Sequence, residues 1–412
     1  MRPQFHFTAP SGWINDPHAI TFRDGAYDAF YQYVPNATEW SVDCHWGHAT
    51  GPDLLTLTSG PIALAPGDGD DGIWTGALVR HPDGTDRIFY TSVTRATMGI
   101  GRVRAATSLD ALWNSWEKGP IVAEAPASLD VDAFRDPFVI EEPDGSWRMF
   151  VGAALADGNA AALAYRSHDL ASWAYEGVAL QRSSDEHHPV WMGALWECPQ
   201  IVALGNRHVM ISSVWEADVL HYAAYAIGRY GEGQFDAENW GRLTYGPSYY
   251  APSYFRDAQG RPCVTFWMRG VQDATEGWAG AHSVPYVLGL DGDILTVTPH
   301  PDVAAYRGHP SQSGEVSGLA ADAEWMPRRS LVISSGGIDA AQVSVESGIL
   351  TLRVGEDSWR MPFVGGAVRL IVDGPTLEVS SRYGLIGAAI APQGTTLQFS
   401  TDSTVDVWAL VR

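Results

Sequence analysis

A hairpin signal that recurs about every sixty residues constrains the fold of this chain more than any other feature. Each copy has a glycine turn followed by apolar residues at period two, as in RDGAYDAFYQY from Arg23 and PDGSWRMFVGA from Pro143. This is the sequence pattern of a β-hairpin. The five turn glycines, separated by 59, 61, 60 and 55 residues, are Gly25, Gly84, Gly145, Gly205 and Gly260. Self-similarity at a fixed period, with several strands in each unit, indicates a repeat architecture.

The repeat predicts an all-β fold with one antiparallel sheet in each unit. Helical patterns are sparse, so a helical solenoid does not fit, and five units of about 60 residues favour a five-bladed β-propeller. A two-sheet sandwich, in which the spacing arises by chance, is the alternative. Gly and Pro number 43 and 25 among the 412 residues, and such a turn-rich composition is typical of chains with many short strands.

The sequence changes character after about residue 305. Fourteen of the 17 tryptophans precede residue 300, and the tail has short alternating runs such as SLVIS and AVRLIV between glycine-containing turns. This pattern predicts a small β-sandwich. We therefore expect a propeller domain over residues 1–305, a linker over residues 306–318 and a C-terminal β-sandwich over residues 319–412.

Charge and hydropathy exclude several classes of partner. The formal charge is −22 at pH 7, whereas a nucleic-acid binder needs basic residues to displace counterions from phosphates. Anionic membranes are disfavoured for the same reason, and no run of 18 apolar residues indicates a membrane-spanning helix. The first residues, MRPQFHFTAPSGW, lack the apolar core of a signal peptide. They predict a cytoplasmic protein, or a secreted one if the N-terminus has been trimmed.

The cysteine and histidine patterns predict neither a disulfide framework nor a metal site. Three scattered cysteines, Cys44, Cys198 and Cys263, are expected to be buried free thiols, which suits a reducing compartment. No His-x-x-x-His pair occurs near the candidate acids described below. The histidines near the first hairpin lack ligand-like spacing: His6, His18, His45 and His48. With no Gly-rich phosphate loop or Ser nucleophile elbow either, we expect no cofactor.

Three acids occupy nearly equivalent positions of the repeat. Counted back from the turn glycine of its unit, Asp16 and Asp136 each lie nine residues away and Glu197 lies eight. The same position holds Thr75 in the second unit and Ala251 in the fifth. Because the first strand of each blade lines the central channel of a propeller, we expect the three carboxylates to converge at one mouth of that channel. The offset of Glu197 predicts a bulge or a different side-chain direction there.

An acid within an apolar or aromatic strand needs a reason, since its burial costs several kcal/mol unless it is paired or hydrated. A structural ion pair is one reason, and Asp136 beside Arg135 could be only that. Three acids at one level point instead to catalysis, because like charges in one cleft raise at least one pKa and keep a carboxylic acid protonated near neutral pH. Two carboxyl groups that flank a glycosidic bond are the equipment of a glycosidase.

Tryptophans near these strands suggest sugar binding, because the face of an indole ring stacks on the C–H face of a sugar. The alternative for each tryptophan is packing in the core or at a blade edge. The candidates are Trp13, Trp40, Trp46, Trp74, Trp191, Trp196, Trp267 and Trp278.

An ordered set of motifs resembles glycoside hydrolase family 32, the invertases, levanases and inulinases that act on β-fructofuranosides. WINDPHA at Trp13 resembles the family's W-x-N-D-P-N-G, and YQYVP at Tyr31 resembles its Q-Y-N-P. FRDPFV and WECPQ resemble its Arg-Asp-Pro and Glu-Cys motifs. Further matches run along most of the chain: WGHAT, WTGAL, TYGPSYYA, GWAGAHSVP and LIVDGPTLEVS. The resemblance implies a five-bladed propeller followed by a β-sandwich, in agreement with the repeat.

The resemblance also implies the roles of residues in a retaining β-fructofuranosidase that acts on sucrose or fructans. Asp16 would be the nucleophile that forms a covalent fructosyl-enzyme, and Glu197 would be the general acid and then the base that activates water. Arg135 and Asp136 would hold fructose hydroxyls, and Asp136 would stabilise the oxocarbenium-like transition state. The sugar-binding residues would be Asn15, Gln32, Trp40, Trp74 and Thr75, with Tyr250 and Trp267 as further candidates.

Several positions depart from the family pattern. His18-Ala19 replaces the usual Asn-Gly, and Thr75 stands where a serine is common. Thr244 replaces an acid before Tyr-Gly, and Ser380 replaces an aromatic residue in the sandwich. Because none of these is one of the three acids, the departures bear on the substrate rather than on the chemistry.

Three other functions are compatible with the same residues. A fructosyltransferase would use the same acids with a sugar acceptor in place of water. An inverting five-bladed glycosidase would act on arabinose- or xylose-containing glycans, and a non-catalytic protein would only bind sugar. The expected partner is a small sugar (sucrose, a fructo-oligosaccharide or a fructan), and the negative charge gives no case for a phosphorylated one. The sequence chooses neither among these sugars nor an oligomeric state.

Overall fold

The computed structural model describes residues 1–81 and 84–412, and strands dominate it. The only α-helix among these residues is the four-residue α1, Asp302–Ala305, so the predicted all-β class is confirmed. Two residues of the second predicted turn, Pro82 and Asp83, lie outside the described residues. No helix of the described ranges has the length and apolar character needed to cross a bilayer.

Each of the first four repeat units forms four consecutive antiparallel strands, which we call a meander. The first contains β1 (Gly12–Arg23), β2 (Ala26–Val34), β3 (His45–Gly51) and β4 (Thr58–Ser59). The second contains β5 (Gly72–Val79), β6 (Arg87–Val93), β7 (Arg102–Ser108) and β8 (Trp116–Ala123). The third contains β9 (Val131–Glu141), β10 (Trp147–Leu155), β11 (Asn159–Ser167) and β12 (Ala174–Ser183). The fourth contains β13 (Leu195–Leu204), β14 (Arg207–Glu216), β15 (Val219–Gly231) and β16 (Gln234–Arg242).

The fifth unit is less regular, because it also pairs with the first. Its strands are β17 (Thr244–Tyr245), β18 (Tyr249–Arg256), β19 (Pro262–Asp273), β20 (Trp278–His282), β21 (Tyr286–Asp291) and β22 (Ile294–Pro299). The long β19 pairs with β18, β20 and β21, and β20 also runs parallel to the start of β1. Except for β17, the strands of the first and fifth units therefore share one nine-stranded sheet.

The first strands of the five units contact one another in a cycle. β1 contacts β5, β5 contacts β9, β9 contacts β13, β13 contacts β18, and β18 contacts β1. The predicted turn glycines lie between the first and second strands of their units, with φ between +63° and +83°, a region that glycine adopts at no steric cost. Equivalent residues of the five first strands consequently lie near one another.

Burial is greatest in the two middle strands of the third meander and least in its fourth strand. In the third unit every residue of β10 is buried, whereas the outer strand β12 alternates between exposed and buried positions. Alanines at positions 160, 161, 162 and 164 of β11 are fully buried, and such small residues let adjacent sheets approach closely. The middle strands β10 and β11 are thus closely packed and form a rigid support for the rest of the unit.

Two further sheets contain the C-terminal strands. The seven-stranded sheet has the order β17-β32-β31-β30-β25-β34-β23, and the six-stranded sheet has the order β24-β33-β26-β27-β28-β29. Their strands are β23 (Arg307–Ser311), β24 (Glu315–Ser317), β25 (Ala320–Trp325), β26 (Ser330–Ser335), β27 (Ile338–Glu346), β28 (Ile349–Val354), β29 (Asp357–Pro362), β30 (Val368–Asp373), β31 (Thr376–Ser381), β32 (Gly384–Ala389), β33 (Thr396–Thr401) and β34 (Val405–Leu410). One hydrophobic core lies between the two sheets.

The segment that we expected to be a linker, residues 306–318, contains two of these strands. β23 pairs with β34, and β24 pairs with β33. The segment therefore also supplies an edge strand to each C-terminal sheet. The division of the chain into domains of residues 1–305 and 319–412 stays a prediction.

A buried cluster of charged groups joins the N-terminal segment to the seven-stranded sheet. The His6 ring lies 2.9 Å from an Asp373 oxygen through Nδ1 and 2.5 Å from a Glu378 oxygen through Nε2. Glu378 also accepts hydrogen bonds from the hydroxyls of Tyr249 and Tyr286 in the fifth unit. All three side chains of the ion-paired group are at most 1% exposed, so the contact is polar but dry.

Candidate active site

A β-bulge interrupts each of five strands at the level where the acids were predicted. These five, which we call the inner strands, are β1, β5, β9, β13 and β18. The register shifts lie between Ile14 and Pro17, Trp74 and Gly76, Arg135 and Phe138, Glu197 and Gln200, and Tyr250 and Ser253. A bulge leaves one residue outside the ladder and redirects its neighbours' side chains. The bulge predicted from the offset of Glu197 is therefore present.

Backbone conformation shows which residues are equivalent at this level. Asp136, Cys198 and Ala251 have φ of +65°, +51° and +48°, and a proline follows each one. The counterpart of Asp136 in the fourth meander is thus Cys198, and Glu197 corresponds to Arg135. Glu197 is therefore not the structural equivalent of Asp136. It lies one residue before that equivalent position, which Cys198 occupies.

A cavity of about 550 Å³ opens where these strand ends converge. Its lining includes all three predicted acids, Asp16, Asp136 and Glu197. The predicted sugar-binding residues that also line it are Asn15, Gln32, Trp40, Trp74, Arg135, Tyr250 and Trp267. The remaining one, Thr75, lies outside this lining and contacts the cavity through Asp16.

Asp16 is held by neutral hydrogen-bond donors. Thr75 Oγ1 donates to its Oδ2 at 2.6 Å, Asn15 Nδ2 donates to its Oδ1 at 3.0 Å, and Gln32 Nε2 lies 3.4 Å from Oδ2. Burial raises the pKa of Asp16, the hydrogen bond from Thr75 opposes that rise, and the charge of Glu197 adds to it. Neutral donors can orient an ionised carboxylate without neutralising it, as a nucleophile requires.

Glu197 is held by a cation and a phenol. Arg135 Nε donates to Glu197 Oε1 at 2.9 Å, and the second guanidinium nitrogen lies 2.8 Å from the same oxygen. The Tyr250 hydroxyl donates to Oε2. The backbone of Glu197 is also held, since Ser212 Oγ donates a hydrogen bond to the Glu197 carbonyl at 2.9 Å. Both carboxyl oxygens are therefore positioned, with the side chain 16% exposed to the cavity.

Asp136 is buried in the site, and Cys198 links it to Asp16. The Cys198 backbone N–H donates to Asp136 Oδ2 at 3.1 Å, and the Cys198 sulfur lies 3.7 Å from both this oxygen and Asp16 Oδ2. Burial, and then the charge of Glu197, raise the pKa of Asp136, while Arg135 opposes the rise. Burial, and then the charges of Asp136 and Asp16, raise the pKa of the Cys198 thiol well above its ordinary value.

Aromatic rings form two walls of the cavity. Trp40 and Trp74 meet edge to face with centroids 5.8 Å apart, and Trp13 and Trp267 do so at 5.4 Å. The Trp40 side chain is 46% exposed, so its ring is available to a ligand.

Four of the tryptophans considered for sugar stacking lie outside this lining. Trp46, Trp196 and Trp278 are at most 1% exposed and belong to three separate hydrophobic cores. Trp191 packs against one of those cores and donates its ring N–H to the Ser184 carbonyl at 2.8 Å. For these four the core-packing alternative is the correct one, because neighbouring meanders need large side chains between them.

Sequence reasoning did not predict five exposed or half-exposed residues of the cavity lining. These are Met98, Asp132, Trp215, Asp218 and Leu220. Asp132 precedes the FRDP motif by only two residues, and Asp218 follows a tryptophan at the end of a strand. Their positions in exposed turns and strand ends carry no periodic signal, so only proximity to a recognised motif could have suggested them.

A second buried group of polar side chains lies away from this cavity. Ligand atoms of Asp257, Cys263 and His300 lie within 4.8 Å of one another. The Arg261 guanidinium donates to Asp257 Oδ2 at 2.5 Å and lies 3.1 Å from His300 Nε2. A cation already neutralises this group, which favours a structural role. Cys44, Cys198 and Cys263 are all buried free thiols, as expected.

Comparison with known proteins gives the same family throughout. The model of the glycosyl hydrolases family 32 N-terminal domain matches residues 6–299. A sucrose-6-phosphate hydrolase of Zymomonas mobilis is 33% identical over 321 residues, covering 72% of this chain and 61% of that protein. A fructan 6-exohydrolase of Beta vulgaris is 29% identical over 343 residues, covering 74% of this chain and 55% of that protein. The chain spans about three fifths of the length of the curated relatives it matches.

Solved structures resemble the whole chain. A β-fructofuranosidase of Bombyx mori superposes with a TM-score of 0.86 at 23% identity, covering 100% of this chain and 94% of the other. A fructan 1-exohydrolase of Cichorium intybus in complex with 1-kestose gives a TM-score of 0.83 at 20% identity, covering 100% and 98%. At these identities the likeness establishes a shared fold.

Proposed function

The chain belongs to glycoside hydrolase family 32, and from this premise we propose that it is a retaining glycosidase that releases terminal β-D-fructofuranose from sucrose or fructans. The observation that carries the proposal is the pair of carboxyl groups held in different ways in one cavity. Asp16 accepts hydrogen bonds from neutral donors, whereas Glu197 lies between Arg135 and the Tyr250 hydroxyl. Different surroundings give two carboxyl groups different roles.

The first step forms a bond between the enzyme and the sugar. An Asp16 carboxylate oxygen attacks the anomeric carbon, C2, of the fructosyl unit while the bond from C2 to the leaving oxygen breaks. Glu197 donates its proton to that oxygen, so the alcohol leaves neutral. In the second step Glu197 removes a proton from water, the hydroxide oxygen attacks C2, and Asp16 is released as a carboxylate.

Asp136 stabilises the transition state without changing its own bonds. It is buried in the site, where Cys198 links it to Asp16 and fixes its orientation. Positive charge develops on C2 and the ring oxygen in the oxocarbenium-like transition state. The carboxyl group of Asp136 is held in one orientation and can accept hydrogen bonds from fructose hydroxyls. It therefore binds the transition state more tightly than the ground state.

We infer that the five repeat units surround one axis as the blades of a propeller. The cyclic contacts of the five inner strands support this arrangement, and so does the parallel pairing of β1 with β20. A catalytic propeller domain would then comprise residues 1–305.

The first experiment is an assay of sucrose, raffinose, inulin and levan with chromatography of the products. We expect free fructose, and we expect Asp16→Asn and Glu197→Gln each to lower kcat by at least about a thousandfold. The matched control is Asp68→Asn, an exposed aspartate outside the cavity lining. Normal activity in Asp16→Asn would contradict the assignment of the nucleophile.

The stereochemical outcome separates the retaining from the inverting mechanism. With methanol as a competing acceptor, retention yields methyl β-D-fructofuranoside and inversion yields the α anomer. Oligosaccharides that dominate over fructose at high sucrose concentration would indicate a fructosyltransferase that uses the same residues.

The names of the relatives differ in the leaving group. One relative is called a sucrose-6-phosphate hydrolase and another a fructan 6-exohydrolase. A phosphorylated glucose needs positive charge in the outer part of the cavity, whereas a neutral fructan chain does not. The charge of that part of the cavity therefore bears on which leaving group the enzyme accepts.

A further inference from the structure

We propose that the outer part of the cavity selects an uncharged leaving group and disfavours a phosphorylated one, through the carboxylates of Asp132 and Asp218. This inference rests on the proposed function, since it concerns the group that departs from the fructosyl unit. Its basis is the distribution of charge around the cavity.

Asp132 is fixed at the rim by the packing of its neighbours. It lies in β9, four residues before Asp136, with an exposed side chain that lines the cavity. The loop after β6 packs against this strand, where Gly101 N donates to the Phe134 carbonyl at 2.9 Å and Phe134 N donates to the Gly99 carbonyl at 3.2 Å. These hydrogen bonds hold the backbone of β9 next to Asp132, and so keep the Asp132 carboxylate at the mouth of the cavity.

Asp218 lies on the neighbouring meander. It occupies the tight turn between β14 and β15 with φ of +61°, next to Ala217 with φ of +51°. Two cavity-lining residues, Trp215 and Leu220, flank the turn on either side. Asp218 is exposed and belongs to the cavity lining, so its carboxylate is available to an incoming sugar.

Positive charge does not balance these acids. Among the described residues, Arg135 is the only basic side chain in the lining, against five carboxyl groups. Its guanidinium already pairs with Glu197 at 2.8 Å. A phosphate placed in the outer cavity would therefore meet negative charge without a free cation.

Arg269 lies next to the lining, and both of its terminal nitrogens face backbone carbonyls, whereas its buried Nε has no partner among the described residues. It lies over the Tyr250 ring at 5.0 Å and donates to the Leu220 carbonyl at 2.6 Å. The His221 carbonyl lies 3.4 Å from its other terminal nitrogen. The guanidinium thus holds the start of β15, directly after the turn that presents Asp218.

Coulomb's law gives the size of the discrimination. A phosphate monoester carries close to two negative charges at pH 7. At a separation of about 6–8 Å in water-like surroundings, one carboxylate disfavours such a dianion by a factor of about five to ten. Two carboxylates then give an effect of at least about 25-fold at low salt. The effect shrinks at high ionic strength because these groups are exposed.

The test compares three substrates that share the same fructosyl unit. Sucrose has a free glucose O6, sucrose-6-phosphate carries a dianion at O6, and raffinose carries a neutral galactosyl group at O6. We expect kcat/KM for sucrose-6-phosphate to be at least tenfold below that for sucrose at low salt. Raffinose, which controls for bulk at the same oxygen, is expected to be hydrolysed several-fold faster than sucrose-6-phosphate.

Charge-neutral variants identify the source of the discrimination. In Asp132→Asn and Asp218→Asn the ratio of kcat/KM for sucrose-6-phosphate to that for sucrose is expected to rise about fivefold. A purely structural effect would change both values equally and leave the ratio fixed, which would overturn the assignment. Addition of 0.5 M NaCl should likewise raise the ratio in the unmodified enzyme.

The outcomes separate this inference from the proposed function. Hydrolysis of both substrates with sucrose-6-phosphate preferred would overturn the inference alone. Loss of that preference in Arg269→Gln would then assign the phosphate to Arg269. Hydrolysis of neither substrate, nor of inulin or levan, would contradict the proposed function and remove the inference with it.

Discussion

Thr75 lies outside the cavity lining, yet its hydroxyl makes the shortest of the hydrogen bonds that Asp16 accepts from the described residues. Gln32 donates to the same hydroxyl at 2.5 Å, and Thr91 Oγ1 donates to the Thr75 carbonyl at 2.9 Å. The threonine is therefore held in place and acts on the acid beside it. It is a positioning residue for Asp16.

Removal of this hydroxyl should move the acid limb of the pH profile. Asp16 attacks as a carboxylate, so kcat/KM falls as pH falls through its pKa. Because the Thr75 hydrogen bond opposes the rise in that pKa, Thr75→Val is expected to shift the acid limb to higher pH. The pH dependence of sucrose hydrolysis measures the shift.

Thr75→Ser is the matched control, since it keeps the hydroxyl. Its acid limb should coincide with that of the unmodified enzyme. An acid limb that stays in place in Thr75→Val would mean that Thr75 does not set the ionisation of Asp16.

At this scale the sequence predicted the buried acids better than the rim. Asp16 and Asp136 were recognisable because an acid is conspicuous in an apolar strand of a regular repeat. Asp132 and Asp218 were not, because charged residues are common in exposed turns. Trp40 and Trp46 lie six residues apart in the sequence. Only packing in the folded chain distinguishes the buried ring of Trp46 from the exposed ring of Trp40.

At the scale of the strand, one glycine determines how closely two elements that frame the site approach. Gly152 in β10 packs against β13, where an added Cβ would lie 2.1 Å from the Trp196 carbonyl oxygen and 3.2 Å from Pro199 Cδ. Glu197 lies between those two residues. The contact is backbone against backbone, so no side chain can move aside to make room.

Gly152→Ala is expected to lower both stability and activity. Overpacking of this kind costs about 1–3 kcal/mol, and the displaced β13 carries Glu197 away from Asp16. We expect a lower Tm and a fall in kcat/KM of at least about tenfold. Thermal unfolding and sucrose hydrolysis measure the two effects.

The control is Gly231→Ala at the end of β15, where an added Cβ meets no atom within 4 Å. It should change neither quantity appreciably. Unchanged activity in Gly152→Ala, despite a lower Tm, would show that the approach of β10 and β13 does not set the geometry of Glu197.

Strand boundaries followed from local pattern, but several pairings did not. The five hairpins were predictable because turn glycine and alternation lie within about a dozen residues. The pairing of β23 with β34 and of β24 with β33 joins segments about ninety residues apart. Nothing in residues 306–318 alone indicates those partners, so a linker was the natural interpretation.

At the scale of the whole molecule, the buried His6 cluster makes the stability of the chain depend on pH. Burial alone would lower the pKa of His6, but its contacts with Asp373 and Glu378 raise it to about 9. The protonated ring is thus favoured in the folded chain. The stabilisation is complete below the ordinary histidine pKa of about 6.5 and is lost as pH rises through about 9.

The expected loss between pH 6 and pH 10 is on the order of 3 kcal/mol of the free energy of unfolding, since each pH unit between the folded and unfolded pKa values contributes about 1.4 kcal/mol. In His6→Gln this part of the pH dependence should vanish, with lower stability at pH 6. The control is His309→Gln, because His309 is exposed. Denaturant unfolding at several pH values measures the difference, and an identical alkaline slope in His6→Gln would exclude the cluster as its cause.

The parallel pairing of Gly12 and Trp13 with Trp278 and Ala279 sets an order of events during biosynthesis. The first strand leaves the ribosome more than 260 residues before its partner, so one of its edges stays open while four meanders are made. Contacts of such long sequence separation form slowly, and an open edge is a site for wrong pairing. Since Asp16 lies on that strand, a nascent chain that stops before β20 would hold three acids without a finished site.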